Sequence, residues 1–183
     1  MKLPNPGRFD AVARFDRVVE ERLNAWRGHP VADRLFFAAS QAGNFSAIWH
    51  GLAWLAACRD PRRWRRAVVV SAALGVESLL VNGAVKSLFR RERPTVVEPR
   101  PHRLRQPRTS SFPSGHASAA MMAAALLARR TRRGPLYYGL GAVVAVSRVY
   151  VRIHHASDVA GGAVVGVALG RIARRLPLDR FLR

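Results

Sequence analysis

Three short groups of residues between positions 86 and 158 have the types and spacing that chemistry needs. Lys86 is followed by Arg93-Pro94. Next comes Ser111-Phe112-Pro113-Ser114-Gly115-His116. The last group is Ser147-Arg148, then His154, then Asp158. Lys86, Arg93 and Arg148 are cations that must face water, a headgroup or an anion. Arginine offers a planar fork for two phosphate oxygens, and lysine a compact point charge. Ser114-Gly115-His116 opens an apolar run, and the free N–H groups of a helix start, beside a glycine, form an anion site. His154 and Asp158 are four positions apart, on one face of a helical turn. The carboxylate can accept a hydrogen bond from one ring nitrogen and leave the other as nucleophile. His116 would supply the proton that a leaving oxygen needs. Together the parts predict phosphoryl transfer through a phosphohistidine, with charge stabilised by fixed cations rather than a metal. Each part alone has a plainer reading: a packed histidine, a snorkelling arginine, a helix cap. Their shared order and single purpose favour the chemical one.

These groups must be positioned by apolar elements. The chain has 183 residues, enough for one domain, and a formal net charge of +20 with 49% hydrophobic residues. Its arginines sit in clusters between long apolar runs, a segregation that points to a membrane protein rather than a soluble nucleic-acid binder. Candidate spans are 35–58, 67–89, 117–128 extended back through His116, 136–153 and 159–172, against a need for roughly 20 residues per crossing. The last carries Gly162, Gly166 and Gly170, a small-residue face for close helix approach. In residues 9–27, Phe9, Val12, Phe15, Val19, Leu23 and Trp26 form one apolar stripe, predicting an amphipathic helix on the membrane surface. The expected fold is all-α, a polytopic bundle of about five membrane helices plus this surface helix. Residues 1–183 form a single domain, divided into an amphipathic segment 1–34, a membrane core 35–173 and a basic tail 174–183. The single cysteine, Cys58, excludes an internal disulfide, and the charged first thirty residues lack the apolar core of a cleavable signal.

The three groups, in order and spacing, resemble the signature of the type 2 phosphatidic acid phosphatase (PAP2) superfamily of membrane lipid phosphatases and soluble vanadium haloperoxidases. The resemblance spans residues 86–158. It implies His154 as nucleophile, Asp158 as its orienting partner and His116 as general acid. Lys86, Arg93, Ser114, Gly115 and Arg148 would bind the phosphoryl oxygens. His155 fails the spacing to Asp158. The family is metal-independent, so no metal or cofactor is expected. Many membrane members have three spans before the first motif; here two precede Lys86, after the amphipathic segment.

The resulting expectation is a membrane lipid phosphate phosphatase. Its substrate would be a polyprenyl phosphate or diphosphate, a sugar-phosphate-bearing polyprenyl lipid, or a glycerophospholipid, with no nucleic-acid partner. The alternatives are a lipid phosphotransferase of the same fold and a non-enzymatic basic membrane protein. Glu77, in mid-span, reads as pairing with a neighbouring helix, and Gln41, Asn44 and His50 as interhelical bonds or pocket lining. Arg100, Arg103, Arg105 and Arg108 would grip a second phosphate or touch anionic lipid. Dense arginines at 59–66, 129–133 and 171–183 place that side in the cytoplasm and the active site outward, in a bacterial cell membrane. Oligomeric state is not encoded in any of these signals.

Overall fold

The computed structural model describes residues 6–60, 63–95, 107, 109–129 and 131–176. Among them the secondary structure is helical throughout. The helices are α1 (Pro6–Asn24), α2 (Pro30–Ala42), α3 (Ala47–Arg59), α4 (Trp64–Ser78), α5 (Gly115–Ala128), α6 (Gly134–Tyr150) and α7 (Ala156–Arg175). A π-helical stretch, Leu79–Val85, prolongs α4 and delivers Lys86.

Helix α5 is the centre of the bundle. Its sequence is apolar all round, and 11 of its 14 residues are buried, as expected for a helix with neighbours on every side. Helices α4, α6 and α7 pack around it. The Gly162–Gly166–Gly170 face of α7 lies against α5, as its spacing predicts. A side-chain carbon added at Gly162 or Gly166 would collide with the backbone of Ser114 or Ser118, and one at Gly170 would come within 2.8 Å of Ala125. Only glycine permits this approach.

The run 35–58, expected as one span, is built differently. Helices α2 and α3, of 13 residues each, turn at Asn44–Ser46, where Phe45 and Ser46 have φ of 52° and 57°. A carbon added at Gly43 would come within 2.8 Å of His116 and 2.9 Å of Val144. The bend therefore exists where the chain must pass close to the other helices, and α2 then packs on α6 while α3 packs on α4.

Among the described residues two helices are long and apolar enough to cross a membrane, Trp64–Val85 and Ala156–Arg175. Large apolar side chains such as Val76, Leu79, Leu136 and Val164 point outward, each more than half exposed. In water such a surface would be costly, and in lipid it is the ordinary exterior.

Helix α1 forms as its pattern predicts, but it faces the bundle with its charges. Val12, Phe15 and Trp26 of the apolar stripe are exposed, and Leu23 packs against a small core of Phe37, Tyr150, Val151 and Ile153. The side chain of Phe9 lies outside the described residues. Glu20 pairs with Arg27 at 2.6 Å and with Arg152 at 3.3 Å. Arg27 in turn donates to the carbonyls of Tyr150 and Val149 at 2.9 and 3.0 Å. These bonds satisfy the carbonyl end of α6 and fix the turn that follows it.

At the opposite end of the bundle, Arg66 donates to the carbonyls of Leu126, Leu127 and Arg129 at 2.8, 2.5 and 2.9 Å. It caps the C-terminus of α5, where terminal carbonyls lack helical partners. Arg59, Arg63, Arg66 and Arg133 line a cavity of about 410 Å³ at this end. Arg62, Arg130, Arg180 and Arg183 lie outside the described residues.

Candidate active site

Each sequence group is carried to one place by a different element. Lys86 ends the π-helical stretch, and Arg93 follows on an extended segment. That segment is tied to the 110–111 strand of chain by Ser111 N–H to the Arg91 carbonyl at 2.9 Å and Ser111 Oγ to the Glu92 carbonyl at 3.0 Å. Ser114 is the N-cap of α5, and its N–H donates to the carbonyl of Asp158 at 3.0 Å, joining the second group to the third. The Phe112–Pro113 peptide just before it is cis.

His154 sits in the turn between α6 and α7. The Arg148 carbonyl accepts from both Ile153 N–H and His154 N–H at 3.1 Å. Arg152 takes a left-handed φ of 54° there, a conformation that costs a non-glycine residue energy. Its side chain is held by Asn24 at 2.9 Å and by Glu20 of α1. The turn is thus fixed from both its backbone and its side chains.

Lys86, Arg93, Gly115, His116, Arg148 and His154 line one cavity of about 1240 Å³. Ser114 and Asp158, both fully buried, stand behind its wall. Ser114 Oγ is buried and without a hydrogen-bond partner among the described residues, a state a buried hydroxyl seldom keeps. A carbon added at Gly115 would come within 2.6 Å of the Asn82 side-chain oxygen, so a larger residue there would have to displace the Asn82 amide.

His154 is almost wholly buried, with Nδ1 3.6 Å from Asp158 Oδ2. That separation is wider than a hydrogen bond, and catalytic hydrogen bonds commonly tighten only with substrate bound. On the other side Arg93 Nη1 lies 3.3 Å from His154 Nε2. A guanidinium only donates, so Nε2 is the unprotonated nitrogen, accepting from Arg93 in the free protein, and Nδ1 carries the proton toward Asp158. Burial pushes the His154 imidazole down to about 4, with Asp158 pulling against it and Arg148 and Arg93 adding to the fall.

The cations are fixed in advance. Arg93 donates to the carbonyls of Ile153, Thr109 and Ser110 at 3.0, 3.1 and 3.1 Å. Burial draws its guanidinium below the ordinary value, with Asp158 opposing. Arg148, only 3% exposed, donates to Ser40 Oγ of α2. Such preorganised charge is what a phosphoryl group needs.

The structure also gives places to residues that spacing left open. Asn44 Nδ2 donates to Gln41 Oε1 at 2.7 Å, which turns the Asn44 oxygen toward His116 Nε2 at 3.0 Å. His50 meets Ser71 across α3 and α4 at 2.9 Å, and Glu77 is buried on the cavity wall. His155 is the N-cap of α7, its N–H donating to Asp158 Oδ2 at 2.9 Å. Arg91 and Asp16 were not predicted. Arg91 reaches Asp158 and Asp16 at 2.6 Å each, across 67 and 75 positions of sequence, and no local pattern separates it from Arg90. Arg100, Arg103, Arg105 and Arg108 lie outside the described residues. Among the described residues no group of three or more His, Cys, Asp and Glu side chains could hold a metal ion.

A buried histidine beside a carboxylate thus shares one cavity with the cations Lys86, Arg93 and Arg148 in a helical bundle. The chain belongs to the PAP2 superfamily, whose family model matches residues 65–182. It is 36% identical over 138 residues to the decaprenylphosphoryl-5-phosphoribose phosphatase of Mycobacterium tuberculosis, covering 73% of each chain. The enzyme of the same name from Mycolicibacterium smegmatis is 34% identical over 156 residues, covering 84% of this chain and 83% of its own. Among solved structures, Aquifex aeolicus LpxE superimposes with a TM-score of 0.71 at 20% identity, covering 91% of this chain and 96% of that one. The first transmembrane PAP2-type phosphatidylglycerolphosphate phosphatase from Bacillus subtilis gives 0.69 at 21%, covering 94% and 88%. The protein is a membrane lipid phosphatase of this family.

Proposed function

We propose that this enzyme removes the terminal phosphate from a polyprenyl-phosphoryl sugar phosphate of the decaprenylphosphoryl-5-phosphoribose kind, through a phosphohistidine on His154. The observation that carries the mechanism is the single cavity onto which Lys86, Arg93, His116, Arg148 and His154 all open. The substrate class is supported by the two mycobacterial relatives of that name.

Lys86, Arg93 and Arg148 hold the phosphoryl oxygens, with the Gly115 N–H and the Ser114 hydroxyl, which has no partner among the described residues, completing the cradle. The Nε2 lone pair of His154 attacks phosphorus, and the bond from phosphorus to the sugar oxygen breaks. His116 gives that oxygen its proton. Asp158 stabilises the charge that grows on the His154 ring. Water then attacks the phosphohistidine and gives a proton back to His116, the N–P bond breaks, inorganic phosphate leaves and the imidazole of His154 is restored.

The helices cross the membrane several times, with the active site facing outward and the Arg66 end of the bundle in the cytoplasm. The arginine density of the loops at that end supports this orientation.

The test is phosphate release by detergent-purified protein, with EDTA present, from a polyprenyl-phosphoryl-5-phosphoribose, a polyprenyl diphosphate and a phosphatidate. The sugar phosphate should be turned over with the highest kcat/KM. His154→Ala should lose about a thousandfold or more in kcat, as nucleophile removal generally does. Wild-type activity in His154→Ala would sink the mechanism, and a preference for phosphatidate would sink the substrate class.

A further inference from the structure

We propose that Asp16 and Arg91 are positioning residues for the His154–Asp158 pair, so that α1 is part of the catalytic apparatus. The inference rests on the reading of His154 as nucleophile. Arg91 uses one guanidinium nitrogen for Asp158 Oδ1 at 2.6 Å and Ser157 Oγ at 2.7 Å, and another for Asp16 Oδ2 at 2.6 Å. Asp16 closes the ring, since its Oδ1 accepts from Ser157 N–H at 2.7 Å and its Oδ2 lies 2.9 Å from Ser157 Oγ. Asp158 is 0% exposed, and its Oδ2 is held by the N–H of His155. Arg91 is therefore the donor that fixes the other oxygen, and with it the plane of the carboxylate facing His154 Nδ1. Without Arg91, Oδ1 would be a buried acceptor that no other described donor reaches, free to turn the carboxylate from the ring.

Docking α1 does not by itself call for such a contact. One turn further along, Glu20 already pairs with Arg27 and Arg152 and fastens α1 to the end of α6 without touching Asp158. The arrangement at Asp16 adds a link that leads from α1 to the reacting ring. The charge balance around the pair is set on every side: Asp16 from α1, Lys86, Arg91 and Arg93 from the end of α4 and the segment after it, His116 from α5, Arg148 from α6, and His155 beside it.

The test compares Asp16→Asn, Arg91→Gln, Arg91→Lys, Glu20→Gln and His154→Ala in the full-length protein, reading kcat, KM, the pH profile of kcat/KM and the unfolding temperature in detergent. Arg91→Gln should lower kcat by about ten- to a hundredfold, the reach of one charge-assisted hydrogen bond, with KM changed by less than about twofold. Removing a cation beside Asp158 raises the proton affinity of His154, so the acid limb of kcat/KM should move up by about half a pH unit. Asp16→Asn, which leaves the Arg91–Asp158 bond in place, should lower kcat by less and, because it removes an anion instead of a cation, move the acid limb slightly down; its kcat loss should add nothing on top of that of Arg91→Gln. Arg91→Lys should recover part of the loss. Glu20→Gln, which acts on the turn only through Arg152 and does not touch Asp158, should lower the unfolding temperature and cost clearly less kcat than Arg91→Gln. Wild-type kcat and pH profile in Asp16→Asn and Arg91→Gln overturn the proposal, as does an equal kcat loss in Glu20→Gln. Should Arg91→Gln fail to fold, Asp16→Asn decides alone. Activity surviving in His154→Ala identifies failure of the underlying reading instead.

Discussion

At the scale of single residues, the pH response of the reaction follows from the burial of His154. Its imidazole is pushed down to about 4, so the ring is neutral and nucleophilic above that pH. Protonation fills the Nε2 lone pair, and kcat/KM therefore falls as pH decreases through about 4, not through the ordinary histidine range. A pH profile corrected for the substrate's own ionisation should show this limb, and a limb centred near 6.5 would contradict it. Ser114→Ala offers a second check at this scale. Removing a hydroxyl that has no partner among the described residues should leave the unfolding temperature unchanged or higher, while kcat/KM drops about tenfold as one phosphoryl hydrogen bond is lost. Spacing makes the groups containing Lys86, Arg93, Ser114, Arg148, His154 and Asp158 readable, because each motif is local. Arg91 and Asp16 are not readable that way. Their meaning lies in contacts between a surface helix and the first turn of α7, which only the folded chain brings together.

At the scale of elements, the glycine face of α7 is the contact least able to change. Gly166→Leu would force α7 from α5 at the level of Ser118 and cost about 1–3 kcal/mol or more, the usual range for overpacking. Because Ser114 bonds to Asp158 one turn up the same interface, kcat should fall in that variant as well. A lowered unfolding temperature in detergent, with activity lost in parallel, is the measurement to seek. Arg66→Ala would leave the carbonyls of Leu126, Leu127 and Arg129 without their shared donor at the far end of α5. It should reduce stability by about 1–3 kcal/mol with little effect on KM. The four-residue glycine period is visible in the sequence, and the run 67–89 reads correctly as a long helix. The run 35–58 misleads because hydropathy averages over Gly43–Ser46. The helix breaks at Phe45 and Ser46, whose left-handed φ of 52° and 57° composition does not reveal.

At the scale of the whole molecule, the two ends of the bundle are chemically distinct, and their sidedness can be measured. In a Cys58→Ala background, Ser87→Cys lies at the active-site end and Arg132→Cys at the arginine-lined end, both at exposed positions. A membrane-impermeant maleimide should label Ser87→Cys in intact cells, and Arg132→Cys only after permeabilisation. The reverse pattern would turn the active site to the cytoplasm. Six of the arginines behind the chain's basic excess serve internally: Arg27 and Arg66 cap helices, Arg91 and Arg152 fasten the turn and its carboxylate, and Arg93 and Arg148 line the cavity.

The size of the active-site chamber has a consequence for what happens after the first chemical step. At about 1240 Å³ it far exceeds a phosphate group, and at about 30 Å³ per molecule it has room for tens of waters. A phosphohistidine formed on its wall stands in a small reservoir of its second reactant. No separate conduit is needed, and a competing alcohol would have to displace that reservoir to intercept the phosphoryl group.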